Sequence, residues 1–299
     1  MSATAAAAQR ARPSWQAIDW REHQRWVRVD GRWANVIEIG PADGDPVVFV
    51  HGLGGRWQNW LENLPAAARA GHRAIAFDLP GFGASEMPGE RITIGAYGRW
   101  ADALCDELGL DAAAWVGNSM GGFVSAEVAL QFPARVERLA LVSAAGITVE
   151  QQRSDRLLGL LYRSESIATY LTGLAVGQAA FTARRPGLRK AAMWFVVEHP
   201  ERLSPALAYE QIAGIGTPGF LPALDALSDY PIRDRLEDVG CPALIVWGRE
   251  DKLVPVRDAD VFEELIEDAR KVVWDDVGHM AMLEEPERFN ELLLGFLAE

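Results

Sequence analysis

The chain has 299 residues, of which 42 are acidic and 29 are Lys or Arg, for a formal net charge of −13, and 49% are hydrophobic. A chain of this length buries roughly three quarters of its extended surface, enough for one large core with an excursion. The negative charge repels nucleic acid and anionic membranes, so neither is expected as a partner, and no apolar run is long enough to span a bilayer.

Residues 1–20 read as an N-terminal tail. Ala5 to Ala8 are interrupted at once by Gln9-Arg10, which leaves no apolar stretch of signal-peptide length, and residues 1–12 are expected to be disordered. Strand and helix signals then alternate, the pattern of a mostly parallel sheet with crossover helices. Residues 26–29 and 35–39, separated by Asp30-Gly31, open the series as a hairpin. Six more strands are expected at residues 46–50, 73–77, 112–116, 136–142, 243–247 and 271–274, for eight in all. There is no internal repeat and no low-complexity linker.

The loops after these strands carry the chemistry. After the strand at 46–50 comes His51-Gly52-Leu53-Gly54-Gly55, a turn able to present a main-chain N–H to a developing oxyanion, and Leu53 is assigned as that donor. After 73–77 comes Asp78-Leu79-Pro80-Gly81-Phe82-Gly83-Ala84-Ser85, where Asp78 is expected to hold its own loop by hydrogen bonds to the backbone. After 112–116 comes Gly117-Asn118-Ser119-Met120-Gly121-Gly122, with Phe123, Val124, Ala126, Val128 and Leu130 continuing as an apolar helix. Ser119 then sits on a sharp strand-to-helix turn, a nucleophile elbow. The N–H of Met120, at the head of that helix, is the second oxyanion donor. Roughly one chain in ten of this length carries G-x-S-x-G by chance, so the motif needs partners.

Between Ser143 and Pro231 the alternation stops and the pattern turns helical, with Leu157, Leu158, Leu160, Leu161, Ile167, Tyr170, Leu171, Trp194, Phe195 and Val196, punctuated by Pro186-Gly187, Pro200 and Pro218-Gly219. Residues 146–231 are expected to form a helical cap, inserted in a core made of 21–145 and 232–299. Most of its apolar residues serve packing, and the rest would line an apolar pocket. Arg184, Arg185, Arg189 and Lys190 look like a solvated turn.

The partners of Ser119 come last. A serine hydroxyl needs a base, and the base needs a carboxylate to fix its tautomer. The strand at 243–247 ends in Gly248-Arg249-Glu250-Asp251 and that at 271–274 leads to Asp275-Asp276-Val277-Gly278-His279. The order Ser119, Asp251, His279 is the one that goes with this elbow. Glu250 ranks behind Asp251 as the acid, and Asp275 and Asp276 are too near His279 along the chain to reach its ring. His51 is read as orienting its loop rather than as a base, and His72, Glu127 and His199 as surface or structural residues. Neither metal-ligand spacing nor a phosphate loop occurs, so no metal and no cofactor are expected. Cys105 and Cys241 read as buried apolar residues rather than a disulfide framework, which favours a reducing, cytoplasmic setting.

Together these motifs resemble the α/β-hydrolase family, from about Val27 to the C-terminus. The resemblance implies Ser119 as nucleophile, Asp251 as orienting acid, His279 as base and a cap after the sixth strand. The expected activity is serine carboxylesterase, acting on small to medium apolar esters through an acyl-enzyme. The alternative is carbon–carbon hydrolysis of aromatic ring-fission products, because Gly-Asn-Ser-Met-Gly-Gly also resembles those enzymes. They usually carry a tryptophan after the catalytic histidine, where this chain has Met280, and an arginine late in the cap, whereas residues 214–230 contain none. Acyl transfer and perhydrolysis are further options, and a hydrolase fold turned ligand receptor is the non-enzymatic one. A small-molecule ester is the expected partner, and the oligomeric state is left open.

Overall fold

The computed structural model describes residues 14–148, 177–228 and 230–299. Strands β1 (Gln24–Val29) and β2 (Arg32–Ile39) form the opening hairpin. Its two turn residues, Asp30 and Gly31, are both left-handed at φ 49° and 77°, as a two-residue turn matched to the strand twist requires. Strands β3 (Pro46–Val50), β4 (Arg73–Phe77), β5 (Ala113–Asn118), β6 (Val136–Val142), β7 (Ala243–Gly248) and β8 (Ala269–Trp274) complete one sheet in the order β1-β2-β4-β3-β5-β6-β7-β8. β2 is antiparallel to β1 and β4, and the other neighbours are parallel. The eight expected strands are therefore present. β5 runs further than expected, to the residue before Ser119, so the change of direction is concentrated at the serine.

Among the described residues the helices, in chain order, are α1 (Leu64–Arg69), α2 (Ile94–Leu108), α3 (Met120–Gln131), α4 (Ala179–Ala183), α5 (Pro186–Met193), α6 (Pro205–Ala213), α7 (Phe220–Ser228), α8 (Arg257–Leu265), α9 (Ala281–Glu284) and α10 (Pro286–Leu297). Local signals set several ends. Thr93 caps α2 by accepting from the Ala96 N–H at 3.0 Å, and the left-handed Gly109 ends it. α3 is apolar around most of its circumference and is correspondingly buried, including Met120, Phe123, Val124, Ala126 and Val128.

Because successive strand residues face opposite sides, both faces of the sheet are covered. Val48, Val50, Ile75, Phe77, Trp115 and Ile245 pack with α2, α3 and α8. Val47, Phe49, Ala74, Val116, Leu244 and Val246 pack with α1 and α10. Cys105 and Cys241 are buried free thiols, and burial pushes them up to about 12 and about 11.

The packed chain begins earlier than residue 21. Trp15 is buried and its Nε1 donates to Glu62 Oε1 at 2.9 Å, while the Trp20 ring lies 5.0 Å from that of Trp57. A short 3-10 turn at Ser14–Ala17 thus belongs to the core, because an indole gains more from burial than from solvent. Residues 1–12, and the leucines and tyrosine named between 157 and 171, lie outside the described residues.

Helices α4 to α7 enter between β6 and β7. Among them Trp194 and Phe195 are half-exposed instead of packed, and the buried neighbour is Val197. Among the described residues, no helix is long and apolar enough to cross a membrane.

Candidate active site

Three loops at the C-terminal ends of β3, β5 and β7, with a fourth after β8, converge. Ser119 lies between β5 and α3 with φ 55° and ψ −119°, a conformation an L-residue holds only when its surroundings enforce it. The enforcing contacts are close backbone approaches. A Cβ at Gly117 would sit 2.2 Å from the Gly121 carbonyl oxygen, and one at Gly121 would sit 2.1 Å from that of Val50. Both glycines of the motif are therefore required by contact as well as by turn geometry. Asn118 carries the resemblance to carbon–carbon hydrolases, and in the structure its amide works as a brace. Its Nδ2 donates to the main-chain oxygens of Val142 at 3.1 Å and His279 at 3.2 Å, which brings the histidine loop against the elbow.

His279 Nδ1 donates to Asp251 Oδ2 at 2.8 Å, with side chains 4% and 0% exposed. A carboxylate only accepts, so this bond puts the ring proton on Nδ1 and leaves Nε2 basic. The other oxygen of Asp251 accepts the N–H groups of Leu253 and Val254, both at 2.9 Å. Glu250, the rival acid, turns away and accepts the Val277 N–H at 3.1 Å. Asp275 pairs with Arg249. Asp276 pairs with His199 at 2.6 Å and Arg202 at 3.1 Å, and the carboxylate raises His199 above its ordinary pKa.

The His51 loop sits beside the serine, since a Cβ at Gly52 would lie 3.2 Å from Ser119 Cβ. His51 is fully enclosed. Its Nε2 accepts the Leu79 N–H at 3.0 Å and its Nδ1 donates to the Gly52 carbonyl at 2.8 Å. Burial holds its pKa below the usual histidine value, so it is a neutral strut between two loops. Among the described residues, the N–H groups of Leu53 and Met120 take no part in turn or loop hydrogen bonds with the main chain. Asp78 accepts from Trp57 N at 2.8 Å, Asn35 Nδ2 at 2.8 Å and Ala84 N at 2.9 Å, which fits a loop-holding residue.

Glu284 had no signal in the sequence. Its Oε1 accepts the N–H groups of Gly278 at 3.0 Å and Met280 at 3.3 Å, one on each side of His279, and its Oε2 accepts the Glu198 N–H at 2.8 Å. Burial raises its pKa despite these three donors. Glu127, read as surface or structural, is fully buried and structural, pairing with Arg235 at 2.9 Å. Arg189, read as part of a solvated turn, is buried too. It donates to the main-chain oxygens of Ala183 at 2.6 Å, Glu201 at 3.1 Å and Pro200 at 3.3 Å. A guanidinium hidden in this way needs several acceptors at once, and the carbonyl at the end of α4 together with two from the turn at Pro200–Glu201 supply them.

An elbow serine, an imidazole held by a carboxylate and two main-chain donors are the parts that nucleophilic acyl transfer needs. Among the described residues no cluster of ligands fit for a metal ion occurs.

Known proteins agree with this architecture. Residues 45–286 match the alpha/beta hydrolase fold family. The chain is 33% identical over 91% of its length to the dihydrolipoyllysine-residue acetyltransferase component of an acetoin cleaving system from Pseudomonas putida, covering 68% of that protein. It is 30% identical over 86% of its length to the 2-hydroxy-6-oxo-6-phenylhexa-2,4-dienoate hydrolase of Comamonas testosteroni, covering 89% of it. Among solved structures it resembles Est816, described as an N-acyl homoserine lactone degrading enzyme, at TM-score 0.70 and 26% identity, over 91% of this chain and 100% of that one. With the family model spanning most of its length, the chain belongs to the alpha/beta hydrolase family.

Proposed function

We propose that this hydrolase cleaves carboxylic esters with small to medium apolar groups, using Ser119 as nucleophile, His279 as general base and then acid, and Asp251 to orient it. Ser119 Oγ attacks the ester carbonyl while its proton passes to His279 Nε2. The N–H groups of Leu53 and Met120 receive the charge that develops on the carbonyl oxygen. Collapse expels the alcohol, which takes the proton from His279. Water then attacks the acyl-enzyme with the same base, releasing the acid and restoring Ser119. Helices α4 to α7 act as the cap of this site.

The observation that carries the ester reading is the state of the cations near the loops. Arg189 is enclosed by carbonyls, and Arg56, in the loop after Leu53, pairs with Glu210 at 2.6 Å. Among the described residues, Arg189 is therefore closed to a substrate carboxylate and Arg56 already has a carboxylate partner, although its buried Nε takes no hydrogen bond, and Met280 stands where a tryptophan is usual in carbon–carbon hydrolases. Burying an unpaired carboxylate against apolar walls would cost several kcal/mol.

The comparisons favour the second reading, carbon–carbon hydrolysis of a ring-fission acid, over the ester reading. The Comamonas testosteroni relative is named for a dienoate acid and is 30% identical, and Asn118 follows the same motif. Parallel turnover of p-nitrophenyl butyrate and a vinylogous diketo acid separates the two. The ester reading expects a kcat/KM at least about a hundredfold higher for the ester, equivalent to about 2.7 kcal/mol. Equal or better turnover of the acid would establish the second reading instead.

A further inference from the structure

We infer that Gln211, on α6, is a positioning residue for the oxyanion loop and acts on it through Asn59. The loop from Gly52 to Gly55 folds around the Asn59 side chain. Its turn closes with Gly55 N–H on Gly52 oxygen at 3.0 Å, and Asn59 Oδ1 accepts the Gly52 N–H at 3.4 Å. Asn59 Oδ1 lies so far inside the turn that a Cβ at Gly55 would be 2.1 Å from it. The orientation of the Asn59 amide therefore sets where Gly52, and with it the adjacent Leu53 N–H, can sit.

That amide is held from the inserted helices. Asn59 Nδ2 donates to Gln211 Oε1 at 2.6 Å, and Gln211 Nε2 donates to the Gln58 carbonyl at 3.2 Å. Asn59 and Gln211 are 4% and 8% exposed, so water does not replace either partner. The same helix reaches the loop again one residue earlier, where Glu210 pairs with Arg56. A Cβ at Gly214 would lie 3.0 Å from the Gly54 oxygen, and one at Gly54 would lie 3.1 Å from the Phe220 ring. Much of the outer side of the oxyanion loop is thus formed by the insert. An oxyanion donor helps only if it is fixed at the right place before charge develops. Displacing α6 would loosen Asn59 and the Leu53 amide with it, so seating of the insert and assembly of the hole are one event.

This rests on the reading of Ser119 as nucleophile and Leu53 N–H as oxyanion donor, so the test uses a reagent that reports on both. A p-nitrophenyl alkylphosphonate phosphonylates the serine and places its phosphoryl oxygen in the hole, with one equivalent of p-nitrophenol released. Its rate is compared with ester kcat and KM for the wild type, Gln211→Met, Gln211→Glu and Arg91→Met. Gln211→Met keeps the packing volume without the polar atoms. We expect phosphonylation and kcat to fall together by about tenfold to a hundredfold, with KM within about threefold, as for partial loss of one donor. Gln211→Glu still accepts from Asn59 Nδ2 but loses the donor to the Gln58 carbonyl, so it should recover part of the loss and remain between Gln211→Met and wild type. Arg91→Met cuts an exposed ion pair between α7 and the core and should leave both rates unchanged. Wild-type phosphonylation by Gln211→Met, or a rise in KM with kcat intact, would overturn the inference. A wild-type protein that releases no p-nitrophenol would instead overturn the nucleophile reading beneath it, and the inference with it.

Discussion

At the scale of single residues, the account turns on which carboxylate serves His279. Asp251 bonds Nδ1 and has its second oxygen fixed by two main-chain donors, whereas among the described residues the Glu250 carboxylate bonds the backbone of Val277. Asp251→Asn presents an amide to the ring and favours the wrong tautomer, so ester turnover at neutral pH should fall by about 10⁴. Glu250→Gln should change it by less than about tenfold, and steady-state kinetics of the two variants check this. A reversal would move the acid to Glu250. Ser119, Asp251 and His279 were legible because each lies in a short motif beside a strand end. Arg189 was misread because its acceptors include carbonyls from around Pro200, a fold contact that the run Arg184 to Lys190 does not encode. Glu284, Asn59 and Gln211 were invisible for the same reason, Gln211 being 152 residues from Asn59.

At the scale of elements, alternating strand and helix signals announced the sheet, and strand ends moved by a few residues, as at β1, β2, β5 and β8. The elbow depends on tertiary contact. Its glycines are needed because main chain from β3 and α3 passes where a Cβ would be, which propensity alone does not disclose. Gly117→Ala should therefore cost at least about 3 kcal/mol in urea unfolding, the upper end of overpacking effects. Gly31, in the open hairpin turn with φ 77° and nothing within 4 Å of an added Cβ, should cost only about 1 kcal/mol as alanine. Equal losses at the two positions would mean that the elbow relaxes more freely than its contacts imply. The inserted helices were the least legible element. Their apolar residues gave the helical pattern, but Trp194 and Phe195 stand half-exposed and Val197 is buried in their place.

For the whole molecule, the expected tail proved to be partly core. Trp15→Ala should cost about 3–5 kcal/mol, as for other buried tryptophans, and a melting curve near wild type would contradict the packing of Trp15 against Glu62. Stability should also bend with acid because of His51. Its folded pKa lies below its unfolded value through burial, so below about pH 6.5 the unfolded chain binds a proton that the folded one excludes. Folding is then weakened as pH falls, by up to about 1.4 kcal/mol per pH unit, until the folded pKa is reached. His199, raised by Asp276, works in the opposite sense and loses its contribution as pH rises through its folded value. Comparing wild type with His51→Gln isolates the first effect. The variant should show a shallower slope between about pH 5 and 6.5, and identical slopes would mean that His51 is protonated in the folded state.

The most direct test of the central claim is ester turnover by purified Ser119→Ala. The residue is strained and shares its elbow with the Asn118 brace to His279, and its hydroxyl is not needed by those contacts, so removing one oxygen should leave the fold and its melting temperature near wild type. Turnover of p-nitrophenyl butyrate should drop by about four to six orders of magnitude, as when the nucleophile of such a unit is deleted. A folded Ser119→Ala protein that keeps more than about a tenth of wild-type turnover, against that expectation, would show that Ser119 is not the nucleophile.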